Sequence, residues 1–257
     1  HAERIIEVTE TQLAAWASLV DDPGTPAVEA RMLYPVNRAS AAVLDKIAAA
    51  PRLGEIAFDW TAGWHESADR KLGLFEFKSG VAGRWEEVIL QGPHLTVGNP
   101  LNQEPDVRAG RERLYEILDL EAIGVDFIPR TNYQIAKPYP EYLAAYPKWQ
   151  GRPSSAFFRL AWREMCDSAT VRTLHAALLP PGPAHVGGLL SLAVKDPMDL
   201  AAMAGFTSTL VADFLIKVMG VGHVKTSALG KVPHIRHHRL EPQLILRTLR
   251  LNCLVRP

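Results

Sequence analysis

SAFFRLAWREM, residues 155–165, carries the reading on which the fold turns. Side chains alternate across a strand, so Arg159 and Arg163 share one face while Phe158, Leu160 and Trp162 share the other. The pattern predicts a half-buried β-strand with a basic face. Downstream, RTLHAALLPPG (172–182) reads as a buried strand closed by the turn Pro180-Pro181-Gly182. Upstream, EIAFDW (55–60), KLGLFEFK (71–78) and EEVILQG (86–92) are short runs separated by polar or glycine-containing turns, as expected of antiparallel strands. In the second of these, Leu72, Leu74 and Glu76 point one way and Gly73, Phe75 and Phe77 the other.

Helical spacing surrounds this β-rich middle. TETQLAAWASLV (9–20) has a threonine cap and an apolar stripe of Leu13, Trp16, Leu19 and Val20. RASAAVLDKIAAA (38–50) places Val43, Leu44 and Ile47 on one stripe and is closed by Pro51. AGRERLYEILDLEAI (109–123) is expected to be helical, and the proline-rich stretch 128–155 an ordered surface loop. Residues 196–220 read as a long helical segment, or two helices meeting near Gly205. In the final helix, 240–252, Leu244, Leu246, Leu249 and Leu251 form the apolar part and Arg247 and Arg250 lie on another face. The expected class is α+β: a twisted, mainly antiparallel sheet flanked by helices. Residues 1–79 form a helical lead-in with the first strands and 80–257 the main body of one compact unit.

A chain of 257 residues with 47% hydrophobic and 22% charged residues can bury a substantial core. The cysteines, Cys166 and Cys253, make no metal-binding or redox spacing and point to a reducing, cytoplasmic setting. The most apolar run, 200–220, is broken by Asp213 and Lys217, so no membrane span is expected. His1 in place of an initiating methionine reads as a tag remnant or a cleavage product, which puts the natural start upstream.

Zero net charge conceals a division. Residues 1–128 carry 12 basic and 21 acidic side chains, a net of −9, whereas 129–257 carry 16 and 7, a net of +9. The basic half suits a polyanion, and nucleic acid foremost. Its richest stretch, GVGHVKTSALGKVPHIRHHRL (220–240), holds Lys225, Lys231, Arg236 and Arg239 and four histidines without a carboxylate. Metal binding by His223, His234, His237 and His238 is disfavoured by the cations among them, and no metal site is expected. In PRTNYQ (129–134), Arg130, Asn132 and Tyr133 either contact phosphates and bases or brace the loop that carries them.

No Walker loop, Rossmann glycine fingerprint, zinc-protease helix, nucleophile elbow or kinase signature occurs. Asn99-Pro100 in VGNPLN shares two residues with the Asn-Pro-Pro-aromatic motif of amino-group DNA methyltransferases. With Leu101 and Asn102 in the remaining positions it lacks the stacking ring and reads as a turn. No catalytic residue is assigned.

Six segments, EEVILQGPHLTVGNPL (86–101), IPRTNYQ (128–134), FFRLAWREM (157–165), RTLHAALLPPG (172–182), DFLIKVMGVGHVKTSALGKVPHI (213–235) and LILRTLRLNCL (244–254), carry a resemblance in this order. They resemble the TaqI-like specificity, or target-recognition, domain that follows the catalytic domain in restriction-modification adenine-N6 DNA methyltransferases. The resemblance spans about residues 80–257. It implies a non-enzymatic module that reads duplex DNA, with S-adenosylmethionine and base flipping on a methyltransferase domain elsewhere in the parent chain. No cofactor is expected in this chain, and the implied setting is a cytoplasmic restriction-modification or phage-defence system. The implied DNA-contacting candidates are Arg130, Asn132, Tyr133, Arg159, Arg163, His223, Lys225 and Lys231. The competing readings are a stand-alone nuclease with an unrecognised metal site and a module that binds an acidic protein.

Overall fold

The computed structural model describes residues 2–107 and 114–256. Its elements follow the chain as α1 (Glu10–Val20), α2 (Arg38–Ala48), β1 (Asp59–Thr61), α3 (Glu66–Lys71), β2 (Phe75–Val81), β3 (Ile89–Leu90), β4 (Gln103–Pro105), β5 (Tyr115–Ile117) and β6 (Arg130–Ile135). There follow α4 (Tyr139–Ala145), β7 (Lys148–Trp149), β8 (Arg152–Pro153), β9 (Arg159–Arg163), β10 (Ala176–Leu179), β11 (Ala184–His185) and β12 (Leu189–Ala193). The chain closes with α5 (Pro197–Thr207), α6 (Leu210–Met219), α7 (Thr226–Leu229) and α8 (Glu241–Asn252). The class is α+β, with small, mostly antiparallel sheets flanked by helices.

The strand expected from residues 155–165 is the hinge of this architecture. β9 lies inside a four-stranded antiparallel sheet of order β1-β12-β9-β10. Leu160 and Trp162 face a core built with Trp16, Leu44, Met203, Leu215 and Ile216 of the helices. The Trp162 Nε1–H donates to the Val224 carbonyl at 2.6 Å, so the buried indole is satisfied. Arg159 and Arg163 face the other way, as the alternation requires, but that face is not open. Ala161 between them belongs to a second core with Trp85, Val88, Leu90, Leu95 and Leu101, so residues 85–101 cover the predicted basic face.

A third core joins Trp64, Phe75, Ile89, Tyr133, Tyr142 and Tyr146. β2 pairs with β6, β3 runs parallel to β11 and β1 pairs with β12. Residues before 80 therefore share sheets with residues far beyond it. The charge division along the chain is also folded together, because Arg130 pairs with Glu104 and Glu116.

Several local expectations give way to tertiary pairing. Tyr115–Ile117, read as helical, is a strand paired with β4; residues 109–113 of that expected helix lie outside the described residues. The expected loop 128–155 contains β6, α4 and the β7–β8 hairpin, because its prolines occupy permitted places. Pro138 and Pro140 sit at the start of α4, Pro147 precedes β7 and Pro153 is the last residue of the edge strand β8. The apolar stretch 196–220 bends by 69° between α5 and α6. The break falls at Ser208-Thr209, where the Thr209 hydroxyl caps α6, and not at Gly205. No single helix among the described residues is long and apolar enough to cross a membrane. In α8 the buried residues are Ile245, Thr248 and Asn252, whereas Leu246, Leu249 and Leu251 are exposed. The reason is close approach: a Cβ at Gly205 would stand 2.5 Å from the Thr248 Oγ1, so α5 admits only a small residue beneath α8.

Candidate nucleic-acid interface

PRTNYQ forms β6, and its side chains are held from several directions. The Asn132 amide donates to the Gln91 Oε1 at 2.8 Å and to the Tyr115 hydroxyl at 3.0 Å, and its carbonyl accepts the Ser79 hydroxyl at 2.9 Å. Gln91 also donates to the Tyr133 hydroxyl at 3.0 Å. The Tyr133 ring meets Phe75 and Phe77 edge-on in the third core. Arg130 forms an ion pair with Glu104 at 2.7 Å and another with Glu116, while its Nε donates to the Pro105 carbonyl at 3.0 Å. His94 spans the same region: Nδ1 accepts the Gln91 N–H at 3.0 Å, which places the proton on Nε2, 2.9 Å from the Arg130 carbonyl. Burial holds the His94 pKa below the ordinary imidazole range.

Of the two arginines of β9, Arg159 is interior and Arg163 half-buried. Arg159 has no exposed surface, and its Nη2 donates to the Pro183 carbonyl at 2.6 Å. Burial lowers its pKa, opposed by the neighbouring Tyr146. His185, packed in the same place, bonds the Ser191 hydroxyl at 2.8 Å; burial, with Arg159 nearby, pushes its pKa down to about 3. Arg163 donates to the Leu95 carbonyl, and burial pushes its pKa down as well. Arg163 thus holds the 85–101 segment, and Arg159 the Pro180–Pro183 turn, against the sheet. Asn132, Tyr133 and Arg159 are thus buried within the fold, which corrects the expectation that they present polar groups to solvent.

The remaining candidates, His223, Lys225 and Lys231, lie in the segment that follows α6. His223 is exposed and faces Glu164 at 3.7 Å. Lys225 is exposed immediately before α7, with its side chain free of the cap. Lys231 reaches back to the Asp21 carbonyl at 2.8 Å, and burial, with Arg52 nearby, lowers its pKa. The structure therefore gathers Arg130, Asn132 and Tyr133 around Gln91, sets Arg159 and Arg163 beneath 85–101, and leaves His223 and Lys225 at the surface.

The histidine-rich exit has a different electrostatic character from its sequence. Arg236 is enclosed by Asp196, Asp199 and Glu241, with its Nε 2.6 Å from Glu241. His234 meets Asp199 at 3.2 Å, while His237 and His238 are exposed. Among the described residues no group of three or more histidine, cysteine or acidic side chains could hold a metal ion. Asn99 forms the expected turn: its side-chain Oδ1 accepts the Leu101 N–H at 2.7 Å and its main chain bridges Thr96.

Other basic side chains do lie at the surface. Lys78, Lys137, Lys148, Arg152, Lys195, Arg247 and Arg250 are exposed. Lys78 was legible as the polar end of the 71–78 alternation, whereas the placement of Lys137 depends on the β2–β6 pairing. Neither a scan of protein-family models nor a search of curated proteins finds a match to this chain.

Proposed function

We propose that the chain is a sequence-specific duplex-DNA recognition module of a restriction-modification or phage-defence adenine DNA methyltransferase, acting without catalysis of its own. The observation that carries the reading is the ordered set of six family-like segments in the sequence. Their arrangement supports it. Segments 86–101, 128–134 and 157–165 meet through Gln91, Asn132, Arg163 and Leu95. Segment 213–235 ties to 172–182 through Asp213, whose Oδ1 accepts the Thr173 N–H at 2.7 Å and the Leu174 N–H at 2.8 Å. Segment 244–254 joins through the Asn252 Oδ1, which accepts the Leu178 N–H at 2.7 Å. In this reading the recurrent polar residues hold the scaffold, and surface cations such as Lys225 contact the nucleic acid. Methyl transfer and S-adenosylmethionine belong to the catalytic domain of the parent protein.

Fluorescence anisotropy with labelled duplex DNA tests the proposal. Affinity is expected to fall steeply as salt rises, because each phosphate contact releases counterions. A selection from random duplexes should then enrich one sequence. Failure to bind any duplex at low salt, alone or joined to its methyltransferase domain, would refute the module; metal-dependent DNA cleavage would favour the nuclease.

A further inference from the structure

β2 and β6 form a two-stranded ribbon whose inner face is closed by Phe75 and Tyr133 in the third core. The pairing shifts register between Phe77 and Gly80, so Lys78 and Ser79 leave the regular ladder. Such a bulge bends a strand and re-aims its side chains. Beside it is a groove of about 420 Å³ whose lining includes Lys78, Gln134, Lys137 and Tyr139.

The charges along this groove are unbalanced. Glu87 is its acidic lining residue and is already engaged by Arg84, with Nε to Oε1 at 2.9 Å. The Arg84 guanidinium also lies over the Tyr139 ring, 4.5 Å from its centre. Glu86 lies beside Tyr139 but outside the lining. Lys78 and Lys137 are exposed and have no hydrogen-bond or ion-pair partner among the described residues. Two uncompensated ammonium groups therefore border a concave polar surface next to a ribbon edge. An ammonium is a point charge that serves phosphate oxygens from many directions, and a two-stranded ribbon has dimensions that fit against a DNA groove.

We propose that this groove seats the phosphodiester backbone of duplex DNA, with Lys78 and Lys137 as its phosphate-binding cations. The inference rests on the DNA-recognition reading and assigns it two phosphate-binding cations, Lys78 and Lys137, that lie outside the six family-like segments.

The test compares the full chain with K78Q/K137Q and with a control, K148Q/K195Q, which removes the same charge elsewhere. Duplex affinity is measured by anisotropy across a salt series, with circular dichroism to verify the fold. Loss of two phosphate contacts is expected to reduce the slope of log affinity against log salt by about two and to weaken binding on the order of tenfold or more at low salt. The control should change both quantities less. A K78Q/K137Q slope equal to that of the unmodified chain overturns the inference alone, as does an equal loss in the control. No duplex binding by the unmodified chain overturns the recognition reading and this inference together.

Discussion

The Oδ1 of Asp213, in the first turn of α6, stands 2.8 Å from the Leu174 main-chain nitrogen at the approach to β10. The same oxygen takes the Thr173 N–H and faces the Arg172 Nε at 3.4 Å, so one buried carboxylate fixes the helix to the sheet. Asp213→Ala is expected to cost about 3 kcal/mol or more, because two buried amides lose their acceptor and the Arg172 guanidinium loses its counter-charge. Asp213→Asn keeps a carbonyl oxygen and should cost less, roughly 1–2 kcal/mol. Urea unfolding of both variants measures the difference; equal losses would mean that the negative charge dominates the acceptor geometry.

Gly205 makes the α5–α8 contact possible. An added Cβ would lie 2.5 Å from the Thr248 Oγ1 and 2.8 Å from the Leu244 Cγ. Gly205→Ala should therefore force the helices apart and destabilise the protein by about 1–3 kcal/mol, despite alanine's better helix propensity. A rise in the thermal midpoint would show that α8 yields without cost.

His185 links stability to pH. Its ordinary value of 6.5 falls to about 3 in the fold because of burial and the Arg159 cation. Above about pH 6.5 the ring is neutral in both states and carries no linkage penalty. As pH falls towards 3 the unfolded chain gains a proton that the folded chain refuses, so stability declines. From about pH 7 to about pH 5 this residue alone should account for a loss of about 2 kcal/mol. His94 and His175, also lowered by burial, act in the same direction. Unfolding free energies at the two pH values should differ less in His185→Gln than in the unmodified chain. An NMR titration in which His185 protonates near pH 6.5 in the folded protein would contradict the assignment.

Asn132 separates scaffold from base reader. Its amide satisfies Ser79, Gln91 and Tyr115, so Asn132→Ala should destabilise the fold by about 1–3 kcal/mol. Under conditions where the variant remains folded, duplex affinity should match the unmodified chain. Loss of affinity with stability unchanged would return Asn132 to the DNA surface.

How far the fold was legible depends on the range of the signal. Thr9 accepts the Gln12 N–H as the cap of α1, and β10 runs into Pro180 as expected. These features arise from neighbours in the chain. Tyr115 defeated the helical reading because its strand is defined by β4 and its hydroxyl by Gln91 and Asn132. In α8 the four leucines read as one apolar part, but the tight contact at Gly205 takes Leu244 with Thr248 and leaves Leu246, Leu249 and Leu251 exposed.

The candidate interface shows the same boundary more sharply. Alternation in residues 155–165 determined that Arg159 and Arg163 share a face, since a strand's pleat sends alternate side chains to opposite sides. It could not determine whether that face meets water. The packing of residues 85–101 decided that, turning a predicted basic surface into a buried attachment through the Pro183 and Leu95 carbonyls. The sequence by itself determined the α+β class, the main strands and helices, and the excess of positive charge in the second half. Tertiary structure alone decided which cations remain free, because burial and ion pairing depend on segments that meet only after the chain has folded.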